Sequence, residues 1–142
     1  MLALIRPDSW NLPLFLHVLG AMILFGTVAT VAITGFATRG FAEHQQLLTR
    51  VTQRVYLLGV IPAYILMRAG AQWIDSKEFP GGGEPGWVGV GFLVSDAGAI
   101  LLLVVGILLA VRRQRVLMAV PVLTAIYIVA LGVAWVAMSG KP

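Results

Sequence analysis

Four residues stand chemically out of place in this chain. His17, Tyr64, Arg68 and Asp96 each interrupt a long run of leucine, isoleucine, valine, glycine and alanine. A charged side chain at the centre of a hydrocarbon layer costs roughly 2.5–3.5 kcal/mol even on insertion scales. Such a group therefore pairs with another, lines a wet cavity or lies near an interface. A histidine, a tyrosine, an arginine and an acid gathered at one depth could hold an anion, a quinone headgroup or a proton. The plainer alternative is structural: Arg68 and Asp96 form an interhelical ion pair that fixes packing, with His17 hydrogen-bonded beside it.

The elements that carry these residues follow from composition. The 142 residues are 59% hydrophobic and 11% charged, less than half of the roughly 25% charged residues usual in soluble domains. Four apolar segments, Leu12 to Ala37, Val55 to Ile74, Trp87 to Val111 and Val116 to Met138, each exceed the roughly 18 residues that mark a membrane-spanning helix. An open sheet is excluded in lipid, because every backbone polar group must be satisfied within its own segment. The expected fold is all-α: a four-transmembrane-helix bundle forming a single integral membrane domain over 1–142. The first apolar run is far longer than the roughly 7–15 residues of a signal-peptide core, and no cleavable signal is expected.

Charge gives an orientation. Arg39, Arg50 and Arg54 fall between the first and second helices, and Arg112, Arg113 and Arg115 between the third and fourth. Asp75, Lys77, Glu78 and Glu84 fall between the second and third, while Arg6, Asp8 and Lys141 lie towards the two ends of the chain. The positive-inside rule then predicts that both termini are outside. The net charge of +4 is thereby explained by topology, and no nucleic-acid partner is expected, since no readout groups accompany the basic residues.

On this topology His17, Arg68 and Asp96 lie near one level, in the outer leaflet. Gly86 to Val111, as one helix, would be about 39 Å long, more than the roughly 30 Å of hydrocarbon requires. Ser95-Asp96 before Ala-Gly and a solid apolar run resembles a helix N-cap. Either Trp87 to Val94 forms an interfacial or re-entrant piece before the third helix, or one unbroken helix tilts. Elsewhere, Asp8 or Ser9 is expected to cap the first helix, and the segment from Gly40 to Arg54 to be a polar connection. Pro62 is expected to kink the second helix. His17, Gly20, Leu24, Thr27, Val31 and Thr34 form one stripe on the first helix. Tyr64, Arg68, Gln72 and Asp75 form another on the second, and Thr124, Tyr127, Leu131 and Trp135 a third on the fourth.

Several chemistries find no support. The chain has no cysteine, hence no thiolate or disulfide chemistry, and it carries no HExxH or phosphate-loop pattern. His17 and His44 are predicted on opposite sides of the membrane, so one chain offers no bis-histidine haem site. At "FLHVLGAMILFG", residues 15–26, the chain resembles small bacterial inner-membrane proteins, including copper-resistance D-type membrane domains. His17 and Gly26 match that entry, while the tryptophan expected two residues before the glycine is Leu24. The resemblance implies a multi-pass protein of the bacterial cytoplasmic (inner) membrane; metal binding would need His17 from two copies.

The sequence therefore points to a non-enzymatic membrane protein with His17, Tyr64, Arg68 and Asp96 as ligand-binding candidates. It assigns no catalytic residue and no metal ligand, and names no cofactor. The alternative is an accessory subunit of a larger membrane complex. Expected partners are the lipid bilayer and either further copies of the chain or that larger complex.

Overall fold

The computed structural model describes residues 8–140, so Arg6 and Lys141 lie outside the described residues. These residues are helical almost throughout, with no strand among them, and four helical spans are long and apolar enough to cross a membrane: Asp8–Gly40, Ala42–Glu78, Gly86–Val111 and Arg115–Ser139. The first contains α1 (Asn11–Gly40), preceded by a 3-10 turn. Neither Asp8 nor Ser9 caps it. Trp10 occupies the cap position without a side-chain cap bond, and Asp8 instead accepts from the Asn11 amide at 3.5 Å.

The second span departs from expectation. The polar connection is itself mostly helical: a 3-10 turn at Ala42–His44 leads into α2 (Gln45–Val55), and a π-helical turn at Tyr56–Val60 joins α2 to α3 (Ile61–Glu78). The sequence "QQLLTRVTQRV" is strongly amphipathic, and its buried Thr52 donates to the Thr34 hydroxyl of α1 at 2.7 Å. Tertiary burial of one face thus makes a helix where polarity suggested a loop. Pro62 sits just after the π turn. Proline clashes with the carbonyl four residues back, and the wider turn, in which the Ile61 N–H bonds Tyr56 O, accommodates it while the helical span runs on into α3.

The third span corrects the interfacial-segment expectation. α4 runs unbroken over Gly86–Val111 with Pro85 at its cap, so Ser95-Asp96 lies in mid-helix and caps nothing. Gly, Val and Phe continue the helix upstream without a breaker, and backbone hydrogen bonding favours continuing it in an apolar layer. After α4 come the short α5 (Gln114–Leu117) and α6 (Ala119–Ser139).

α1 is the central helix, packed on α3 along one side and α6 on another, while α6 in turn packs on α4. Close approach depends on small residues. A Cβ on Gly70 would meet the His17 backbone nitrogen at 2.5 Å, and one on Gly20 would overlap the Met67 backbone. The α1 stripe is therefore the α2–α3 contact surface: His17 faces Gly70, Gly20 faces Met67, Thr27 faces Gly59 and Thr34 bonds Thr52. On α6 the buried face runs through Val120, Thr124, Tyr127 and Ala134, whereas Trp135 is 70% exposed and leaves its expected stripe. Leu24, Val28, Val60, Leu102, Val105 and Tyr127 meet in the core.

Candidate functional site

Tyr64 and Arg68 belong to a ridge that includes Tyr56 and Val60, four residues at a time. Residues at that spacing share one helix face, and the polar members of this ridge reach α4. The Tyr56 hydroxyl donates to the Leu102 carbonyl at 2.5 Å. The Tyr64 hydroxyl donates to the Ser95 carbonyl at 2.8 Å, with Ser95 Oγ 3.3 Å away. Arg68 Nη2 pairs with Asp96 Oδ1 at 2.9 Å. The backbones of α3 and α4 stand farther apart than those of α3 and α1 or of α4 and α6, so long side chains bridge the gap.

Arg68 is held on two sides. Its guanidinium carbon lies 4.6 Å from the centroid of the Phe92 ring, one turn before Asp96 on α4, an arrangement that adds cation–π attraction to the ion pair. The side chain of Arg68 is 28% exposed and that of Asp96 63%, so the pair sits at the rim of the bundle and not in its core. Arg68 Nη1 is nevertheless buried and has no hydrogen-bond partner among the described residues.

His17 lies at the same level of α3 on a different side. Its Nδ1 is 3.0 Å from the Met67 carbonyl oxygen. A carbonyl only accepts, so Nδ1 is the donor in this contact. Met67 and Gly70 face α1, whereas Arg68, one residue on from Met67, is turned by about 100° towards α4. Among the described residues no hydrogen bond or ion pair joins His17 to Arg68 or Asp96. The fold therefore unites Tyr64, Arg68 and Asp96 and sets His17 beside them across the width of one helix.

Three neighbours were not singled out from the sequence as part of this cluster. Ser95 is buried and takes the Tyr64 contact, Phe92 underlies Arg68, and the Tyr127 hydroxyl is buried without a partner among the described residues, its ring close against Gly98. The buried series Ser95, Gly98, Leu102, Val105 and Leu109 follows helical spacing. Extending it backwards would have turned Ser95 inward and Asp96 outward. Farther along α3, Gln72 is exposed and Asp75 Oδ1 is buried without a partner among the described residues. Among the described residues no three His, Cys, Asp or Glu side chains form a group that could hold a metal ion. Comparison with protein-family models, with curated proteins and with solved structures finds no match to the chain.

Proposed function

We propose that this chain is a multi-pass protein of the bacterial cytoplasmic membrane, with both termini outside, that binds or transports a small polar ligand or ion without catalysis. The ligand-binding residues on this reading are Tyr64, Arg68 and Asp96, with His17 on the adjoining side of α3. The observation that supports it is the divided guanidinium of Arg68: Nη2 is engaged by Asp96, while Nη1 is buried and lacks an acceptor. Leaving a buried donor unsatisfied costs about 1–3 kcal/mol, and more for a charged group. An incoming acceptor oxygen, from a carboxylate, an inorganic anion or a quinone carbonyl, would remove that cost. Phe92 shields one face of the guanidinium, and the exposed Asp96 can be displaced.

The test is thermal unfolding of the detergent-purified protein titrated with acetate, nitrate and a water-soluble benzoquinone. At least one probe should raise the midpoint saturably, and Arg68→Gln should abolish that rise. A wild-type protein indifferent to all three, or a rise that survives Arg68→Gln, overturns the proposal. The second reading is a non-catalytic accessory subunit of a larger membrane complex. It is supported by Gly26, Gly89 and Gly132, where an added Cβ would meet nothing within 4 Å and a partner helix could approach closely. Co-purification of a stoichiometric membrane partner would favour it.

A further inference from the structure

The opposite end of the bundle has a cleft of its own. Two adjoining openings, of about 260 and about 430 Å³, lie between the end of α1, α2 and the α4–α5 turn, and share Gln45, Thr49 and Leu117. The smaller is backed by apolar Leu109, Met118 and Val120, and the larger has a polar mouth with Gln46, Arg50, Gln53 and Arg112. Two of the polar residues around the cleft are already engaged in holding helices together. Gln53 Nε2 donates to the Leu109 carbonyl at 2.7 Å, and Arg39 Nη2 donates to the Met118 carbonyl at 2.5 Å. Leu109 lies in the last turn of α4, where carbonyls lack helical partners.

Arg50 and Arg112 have no such task. Neither makes an ion pair or a hydrogen bond among the described residues, yet both line the same opening. Glu43, the one acid between α1 and α4 on this side of the bundle, does not line it. Arg112 also adopts φ +55°, ψ +15° at the C-terminal cap of α4. This is the left-handed position that glycine fills most easily. Arg50 and Arg112 are both exposed at this mouth, and two guanidinium groups without a protein partner lining one opening leave their donors available to an anion.

We infer that this cleft binds a phosphate-bearing anion. Arg50 and Arg112 receive the phosphate oxygens, Gln46 offers an amide donor at the mouth, and the apolar back accepts a lipid chain when the phosphate belongs to a headgroup. Guanidinium forks suit phosphate oxygens better than point charges do. The site lies far along the bundle from Arg68 and does not depend on the function proposed there.

Titration of the purified protein in neutral detergent tests this, with dioctanoyl phosphatidylglycerol, dioctanoyl phosphatidylcholine and inorganic phosphate as probes and the unfolding midpoint as readout. Phosphatidylglycerol should raise the midpoint saturably and phosphatidylcholine should not. Inorganic phosphate acting only at much higher concentration assigns the site to lipid, whereas equal potency assigns it to free phosphate. Arg50→Gln and Arg112→Gln should each weaken the apparent affinity about five-fold, the worth of one arginine near an anionic surface. Arg54→Gln, outside the cleft, should leave it unchanged. Arg112→Gly removes the guanidinium while suiting the left-handed backbone, so it separates loss of binding from loss of folding. No saturable response to any probe, or equal weakening by Arg54→Gln and the cleft variants, overturns the inference.

Discussion

Arg68 engages an acid and a ring and leaves its buried Nη1 without an acceptor among the described residues, and its mutational behaviour should reflect all three. Removing Asp96 strands a guanidinium, and removing Arg68 strands a carboxylate, so the double change to alanine should cost less than the two single changes summed. With Asp96 63% exposed, screening limits the coupling to about 0.5–1 kcal/mol. A double-mutant cycle read by unfolding in detergent checks it, and strict additivity would mean the pair contributes no coupling. His17→Leu removes the bond to the Met67 carbonyl and should lower stability by about 1 kcal/mol. If its Nε2 serves the ligand, the same variant should also lose the ligand-induced shift. A protein that is less stable but still responds to ligand would leave His17 a packing residue only. The Arg68–Asp96 pairing was legible in the sequence, because intramembrane charges seek one another and depth can be counted from helix ends. The side of α3 on which His17 sits was not legible. Its acceptor is a backbone carbonyl, which leaves no trace in residue type, and one position along a helix changes direction by about 100°.

At the scale of elements, glycine spacing sets how closely α1 and α3 approach, and that is measurable. Gly70→Ala would drive a Cβ to within 2.5 Å of the His17 backbone nitrogen, where backbone cannot yield cheaply. It should cost about 1–3 kcal/mol and lower the unfolding midpoint. Gly26→Ala, on the central helix α1 but facing open space, should raise it by about 0.5–1 kcal/mol through helix propensity. Shifts of the same sign would mean that this approach does not limit packing. The α1 stripe of His17, Gly20, Thr27 and Thr34 shows why four helices could be read directly: small and hydroxylated residues at helical spacing mark where another backbone comes near. The connection from Gly40 to Arg54 and the cap at Ser95-Asp96 were misjudged for a shared reason. Local polarity suggested a loop or an end, while burial of Thr52 against Thr34 and uninterrupted backbone bonding in α4 maintained the helix.

Over the whole molecule, charge is sorted by end. Arg39, Arg50, Arg54, Arg112, Arg113 and Arg115 accompany Glu43 where α1 meets α2 and α4 meets α5, whereas Asp8, Asp75, Glu78 and Glu84 accompany Lys77 at the other end. The even number of spans returns the chain to the end from which it entered, so one orientation decides the position of every loop. Arginine-rich short loops resist translocation, so the proposed orientation would put the Arg50–Arg112 cleft in the cytoplasmic leaflet and the Arg68–Asp96 rim nearer the outside. The absence of native cysteine makes this testable with single labels. Glu84→Cys and Ala42→Cys both change exposed residues, one in the loop before α4 and the other just after α1. In intact spheroplasts a membrane-impermeant maleimide should modify the Glu84→Cys protein, and should reach the Ala42→Cys protein only after the membrane is permeabilised. Labelling of the Ala42→Cys protein alone in intact cells would invert the molecule, move the cleft to the outer leaflet and put the Arg68 cluster nearer the cytoplasm. Labelling of both would mean that the chain does not cross as an even set of spans with these two loops on opposite sides.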